Sequence, residues 1–262
     1  MSLPKCAVWA STMLVSGEAE CMKAIITAAG YASRLWPLTK DIPKPLLDVK
    51  GKPIVEHILA RIIEVPDVDE VFIVTNAKFY PLFEDWLNEA KATVAISVPV
   101  KLVNDGTTSN DDRLGQVGDI HLVLEKEKVD DELLVVAGDN LFNFSLTPAY
   151  NVFLQQQRIL NPLYESKSYK AARESGSVVI DEETNEFVEF TEKSPTPKST
   201  LISLGIYFFP KQQLQLIKKY ISEKNNPDKM GFFILWLMQH EKVLGHVYTD
   251  KWFDIGWIEA LE

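Results

Sequence analysis

Residues 23–30, KAIITAAG, form a short apolar run rich in β-branched residues that closes on small residues and a glycine. This is the pattern of a buried strand entering a loop. Two further runs have the same character: Val71–Thr75 (VFIVT), and Leu133–Ala137 (LLVVA), which stops at Gly138. Strands that are apolar throughout, rather than alternating, are what a parallel sheet covered on both faces requires. Working outward, Pro53–Glu64 starts with a proline suited to a first helical turn and carries Ile54, Val55, Ile58, Leu59 and Ile62 at helical spacing. Helices are also expected over Lys78–Ala90, Gln116–Lys126, Lys211–Glu223 and Gly231–His240. The fold class is therefore α/β, doubly wound, with a mostly parallel sheet.

Beyond Ser175 the pattern changes. Val178–Ile180, Glu186–Thr191, Leu201–Phe208 and Val243–Tyr248 read as strands joined by turn-rich segments, so the sheet is expected to be mixed, with an antiparallel elaboration in the second half. No solenoid or hexapeptide repeat is present. The aromatics Phe232, Phe233 and Trp236 fit a core or an interface equally well, which leaves a homo-oligomer open.

The 262 residues, 46% of them hydrophobic, suffice for one substantial core. We expect a single domain over 22–262, with residues 1–21 as an N-terminal extension. The apolar stretch Cys6–Val15 only faintly resembles a secretory signal. A net charge of −10 has the wrong sign for coating a nucleic-acid backbone. No segment approaches the roughly 20 apolar residues of a membrane span. Cys6 and Cys21 lie far from any histidine, giving neither a zinc spacing nor a disulfide framework, so the chain reads as cytoplasmic.

The chemistry concentrates in Ala28–Pro53, AAGYASRLWPLTKDIPKPLLDVKGKP. Ala28, Ala29, Gly30, Ala32 and Ser33 would let backbone N–H groups approach a polyphosphate closely. Arg34 supplies a planar fork for phosphate oxygens and Lys44 a compact point charge. Taken alone, the segment is equally an ordinary strand-to-helix loop. It is not a Walker motif, since Gly51-Lys52 precedes Pro53, and no G-x-G-x-x-G is present, which argues against kinases and nucleotide-dependent oxidoreductases.

This segment resembles the signature of the sugar-phosphate nucleotidyltransferases, roughly G-G-x-G-T/S-R-L-x-P-L-T-x-x-x-P-K-P. It matches at Gly30, Ser33, Arg34, Leu35, Pro37, Leu38, Thr39, Pro43, Lys44 and Pro45, and departs at Ala29 and Ala32, where glycine is usual. Each departure adds one methyl group, so a slightly tighter, functional loop is expected. Gly138-Asp139-Asn140, Glu192-Lys193, Gly205-Ile206-Tyr207 and Trp252-Phe253-Asp254-Ile255-Gly256 resemble further family elements. Ser194 stands where proline is usual.

The resemblance implies a Rossmann-like core with a small sugar-binding elaboration. It also implies an enzyme that joins a nucleoside triphosphate to a sugar 1-phosphate with release of pyrophosphate. Arg34 and Lys44 would be catalytic. Ala28, Ala29, Gly30, Ser33, Gly115 and Asp139 would bind the nucleotide, and Gly176, Glu192 and Lys193 the sugar phosphate. Asp139 and Asp254 would hold Mg²⁺, which suits oxygen ligands. Asn104–Gly118 would face the base, with Thr108 or Asn110 nearby, without revealing which base. A phosphocholine-like acceptor and a non-catalytic regulatory relative are the alternatives; retention of Arg34, Lys44, Asp139, Lys193 and Asp254 argues against the latter. A chain ending at Glu262 leaves no room for an added acyltransferase domain.

Overall fold

The computed structural model describes residues 21–93, 96–249 and 252–254. The first half alternates strands and helices: β1 (Met22–Thr27), a short hairpin of β2 (Asp48–Val49) and β3 (Lys52–Pro53), α1 (Ile54–Ile62), β4 (Val68–Thr75), α2 (Tyr80–Thr93), β5 (Val100–Asn104), α3 (Gln116–Glu127) and β6 (Glu132–Ala137). The second half adds β7 (Asn140–Phe142), α4 (Thr147–Gln156), β8 (Leu160–Glu165), α5 (Tyr169–Glu174), β9 (Gly176–Ile180), β10 (Phe187–Glu192), β11 (Leu201–Ser203) and β12 (Ile206–Phe209). It closes with α6 (Gln215–Ser222), α7 (Met230–Leu237), β13 (Leu244–Tyr248) and β14 (Trp252–Asp254).

The main sheet runs β10-β9-β11-β8-β12-β6-β1-β4-β5, with β13 also paired to β8. Strands β6, β1, β4 and β5 are mutually parallel, and β12 joins β6 antiparallel, so the sheet is mixed as expected. The β1, β4 and β6 interiors are buried on both faces, the physical reason their sequences lack alternation. Helices α1 and α2 pack Ile58 and Phe83 into one core with Ile26 and Ile73. Helix α3 packs Val117, Ile120 and Val123 into a second core with Ile25 and Val74.

The opposite placement follows from crossover handedness. The chain steps from β1 to β4 to β5 in one direction and then returns past β1 to β6. A right-handed connection in the reverse direction requires its helix on the other face. The reversal makes a switch point between β1 and β6, where open α/β sheets bind ligands at strand C-terminal ends.

Three expectations are corrected. Leu201–Phe208 is not one strand but two: the chain breaks at Gly205, φ 65°, and β11 and β12 take different places in the sheet. Lys211–Glu223 starts as a 3₁₀ turn, Lys211–Gln213, before α6. Cys21 is disulfide-bonded, through a partner outside the described residues; with two cysteines in the chain this is a single bridge and no framework. No helix among the described residues is long and apolar enough to cross a membrane.

Candidate active site at the switch point

Strands β1 and β6 end in register, Thr27 beside Ala137. The Gly138 amide donates to the Thr27 carbonyl at 2.9 Å, which lays the segment after β6 along the start of the loop after β1. A Cβ at Gly138 would sit 2.7 Å from the Thr27 oxygen, so this close approach requires glycine. The loop is fixed from outside as well. Asn76, fully buried, donates from Nδ2 to the Ala29 carbonyl at 2.9 Å, and the buried Thr39 hydroxyl donates to the Ala32 carbonyl at 2.7 Å. Ala32 itself has φ 45° and ψ 39°, the left-handed region. The two alanines are therefore not equivalent: Ala29 sits in the tied segment, while Ala32 occupies a conformation that favours glycine.

Around this loop opens a cleft lined by Ala28, Ala29, Gly30, Lys44, Gly115 and Asp139, together with Arg113, Gln116, Asp119 and Asp228. Lys44, in the 3₁₀ turn Lys44–Leu46, is nearly buried, and its Nζ donates to Asp139 Oδ2 at 2.9 Å. The Asp139 carboxylate is half exposed and faces the cleft. The small-residue loop, the held ammonium and the carboxylate near a strand end have the chemistry that a phosphate chain and an oxygen-seeking cation would need.

The remaining site candidates divide. Ser33 lies in the 3₁₀ turn Ser33–Leu35, exposed and off the cleft lining. The Arg34 side chain lies outside the described residues, as does that of Asp254. The Asp254 backbone nevertheless pairs with Asn140, next to Asp139. Glu192, at the end of β10, is packed against two glycines: Cβ atoms would stand 3.6 Å from its Oε2 at Gly176 and 2.4 Å at Gly231. The Lys193 amide donates to the Ser175 carbonyl at 3.0 Å with φ 50°. Gly176, Glu192 and Lys193 thus come together with one another but do not line the cleft of Lys44 and Asp139. Beside them, the buried Tyr207 hydroxyl meets Ser203 Oγ at 3.3 Å, and burial raises its pKa.

Gly115 caps α3 with φ 79°, and its Cβ would overlap the Asp228 backbone at 2.5 Å. Thr108 and Asn110 are exposed and off the lining. Asp112 instead gathers the Thr108 and Ser109 amides at 3.0 and 2.7 Å, and these bonds draw its carboxyl down to about 2. Sequence reading missed the paired carboxyls Asp105 and Asp119 and the Arg113–Asp228 ion pair, 2.8 Å, across the cleft mouth. A signal existed for the first: Asp105 immediately follows parallel strand β5, much as Asp139 follows β6 after one glycine.

An open α/β sheet with a loop of small residues and a lysine-held carboxylate at its switch point has the layout of a ligand site of the α/β class. The family profile described as nucleotidyl transferase matches residues 23–262, and the chain belongs to that family. Among curated relatives, the bifunctional protein GlmU of Methanocaldococcus jannaschii is 32% identical over 237 residues, covering 90% of this chain and 51% of that protein. The chain thus spans about half the length of that relative. A UTP–glucose-1-phosphate uridylyltransferase, AglF, of Haloferax volcanii is 25% identical over 91% of this chain and 93% of its own. A solved structure of UDP-glucose pyrophosphorylase with UDP-glucose superposes with a TM-score of 0.75 at 19% identity, over 92% of this chain and 96% of that one, which shows a shared fold.

Proposed function

We propose that this chain transfers a nucleoside monophosphate from a nucleoside triphosphate to a sugar 1-phosphate. A phosphate oxygen of the sugar 1-phosphate attacks the α-phosphorus, the bond to the bridging oxygen breaks, and pyrophosphate leaves with the electron pair. The observation that carries this reading is the Lys44–Asp139 pair at the switch point, facing a loop of small residues. The nucleophile arrives already ionised, so the protein needs no activated serine or cysteine. Its work is alignment and charge neutralisation.

Lys44 would neutralise charge at the α-phosphate and Arg34 at the leaving pyrophosphate. The backbone amides of Ala29 and Gly30 would hold the phosphate chain, with Ser33 nearby on the same loop; the Ala28 amide is already committed to the Val74 carbonyl at 2.8 Å, so Ala28 would contribute only a small, close-fitting wall. On this reading Gly176, Glu192 and Lys193 bind the sugar end, Glu192 accepting from hydroxyls and Lys193 pairing with the phosphate. Asp139 and Asp254 would be the oxygen donors: Asp139 directly precedes β7, and β14, which ends at Asp254, pairs with β7. No cluster of three or more ligating side chains occurs among the described residues. That donor set fits Mg²⁺, which takes one or two carboxylates and completes its shell with water and substrate phosphates. Bound there, the ion would supply Lewis-acid charge neutralisation.

The test is pyrophosphate release with Mg²⁺, crossing nucleoside triphosphates against sugar 1-phosphates and phosphocholine. Lys44→Ala is expected to lower turnover by about 10²-fold or more while the fold survives; unchanged turnover would refute the assignment. Release with phosphocholine alone would make the acceptor a different class.

A further inference from the structure

Gly231 lies in the first turn of α7, buried beside the apolar side chains of Met230, Phe233 and Ile234. A glycine weakens a helix relative to alanine, because it loses more backbone freedom on folding. The backbone at Gly231 is helical, so no left-handed conformation calls for glycine there. What calls for it is a neighbour. Helix α7 packs across β10, whose residues Phe190 and Glu192, two positions apart, share one face of the strand. A Cβ at Gly231 would stand 2.4 Å from Glu192 Oε2, 2.9 Å from Glu192 Cδ and 3.2 Å from Phe190 Cε1. Non-bonded heavy atoms are at ease near about 3.5–4.0 Å, so the carboxylate occupies the place of the missing methyl group. The other glycine beside it differs. At Gly176 a Cβ would press on Phe190 Cζ, at 2.7 Å, and only touch Glu192 Oε2, at 3.6 Å. Gly176 makes room for the phenyl ring, Gly231 for the carboxylate.

We propose, resting on the nucleotidyltransferase reading above, that Gly231 is a positioning residue for the sugar 1-phosphate: lacking a side chain, it seats the Glu192 carboxylate against the first turn of α7 and so fixes which sugar hydroxyls that carboxylate can accept from. The seat is electrostatic as well as steric. Lys229, at the N-cap, makes no side-chain capping bond, and the first turn holds no acidic residue of its own. Glu192 therefore brings, from β10, a negative charge to a helix end that favours one. Confined by Gly231, Gly176 and Phe190, a side chain that would otherwise sample many rotamers is set in place before the sugar arrives.

Gly231→Ala would put one methyl group where the carboxylate lies. The far end of Glu192 is flexible and the helix backbone is not, so the carboxylate gives way. The helix keeps its place and gains the better propensity of alanine, while the acceptor for the sugar moves. A glycine kept only for packing would behave the other way: the helix would be displaced and stability would fall. Contacts from Glu192 to hydroxyls remote from the reacting phosphate are made in ground state and transition state alike, so their loss falls on KM rather than on kcat.

The experiment measures pyrophosphate release by the whole chain with Mg²⁺, the probes being glucose, galactose, mannose and glucosamine 1-phosphates with UTP, dTTP, CTP, GTP and ATP. The pair with the highest wild-type kcat/KM is then followed in Gly231→Ala, Glu192→Asp and the double variant, alongside urea unfolding. Gly231→Ala is expected to raise the KM for the sugar 1-phosphate about tenfold or more, to leave kcat and the triphosphate KM within about twofold of wild type, and not to lower the unfolding midpoint. Aspartate is one methylene shorter and clears the added methyl group. In the Glu192→Asp background Gly231→Ala should therefore raise the sugar KM less than about threefold, whereas independent sites would show the same factor in both backgrounds. An equal factor in both overturns the proposal, as does an unchanged sugar KM in the single variant, or a lowered midpoint, failure to fold included. Each of these leaves the nucleotidyltransferase reading standing. If the wild type releases no pyrophosphate with any pair, both fall.

Discussion

Ala32 carries a side chain in a conformation that costs an L-residue roughly 1–2 kcal/mol relative to glycine. The Thr39 hydroxyl on its carbonyl and the following 3₁₀ turn hold it there. Ala32→Gly is expected to raise stability by up to about 1 kcal/mol, part of the gain being lost to unfolded-state entropy; urea unfolding would measure it, and a loss of stability would contradict the strain argument. Asp119 gives a second prediction. Its folded pKa of about 8 lies well above the ordinary carboxyl value of 3.8. Between about pH 4 and 8 the folded chain therefore binds the extra proton, so stability falls as pH rises through that window and levels off above it. Asp105 is raised by burial in the same sense. Asp119→Asn removes the titration, so melting temperatures of variant and wild type should diverge in the variant's favour from pH 5 to pH 8. A constant gap would show that Asp119 is ionised throughout. Residue identities such as Lys44 and Asp139 were legible because they sit in motifs that also fix the chain's path. The Asp105–Asp119 pair was not, because two carboxyls fourteen positions apart meet only after α3 has folded back over the sheet.

Elements depend on contacts that their own sequences do not show. The start of α3 is sealed to the segment before α7: Gly115 packs on the Asp228 backbone, the Val117 amide donates to the Pro227 carbonyl at 3.0 Å, and Arg113 grips Asp228. Gly115→Ala meets both a positive φ and a backbone overlap, so a loss of about 2 kcal/mol or more is expected from denaturant titration. A neutral result would mean that the 227–228 backbone moves aside freely. The same dependence explains where strand reading failed. Strand β8, LNPLYE, lies mid-sheet although it contains proline, a residue that argues against central strands. Buried Asn161 donates to the Ile206 carbonyl at 2.7 Å, and the Pro162 carbonyl accepts from the Leu204 amide at 3.1 Å. Neighbours settled after β8 in the chain thus supply the bonds that its own pattern lacks. By contrast β1, β4 and β6 were readable because burial on both faces leaves a continuous apolar run.

The whole molecule is a sheet between two cores, and the two are chemically separate: Ile58 of α1 belongs to one and Ile120 of α3 to the other. Truncating either to alanine should cost about 2–5 kcal/mol. The double variant should equal the sum within about 0.5 kcal/mol, as for sites without shared partners; a larger coupling in unfolding experiments would show strain passing through the sheet. Architecture at this scale was legible as far as the parallel half, since crossover handedness and strand character constrain it. The place of β12 was not, because an antiparallel insertion depends on a break at Gly205 whose φ no pattern announces. That insertion also sets a schedule for the newborn chain. β6 is complete at Ala137, yet the strand that covers its outer edge begins at Ile206, sixty-nine positions later. At ribosomal speeds of about 5–20 residues per second, β6 waits some 3–14 seconds with a bare edge. Through that interval the nascent half-sheet exposes an adhesive border, and shielding it is work for whatever chaperone meets the chain at the ribosome.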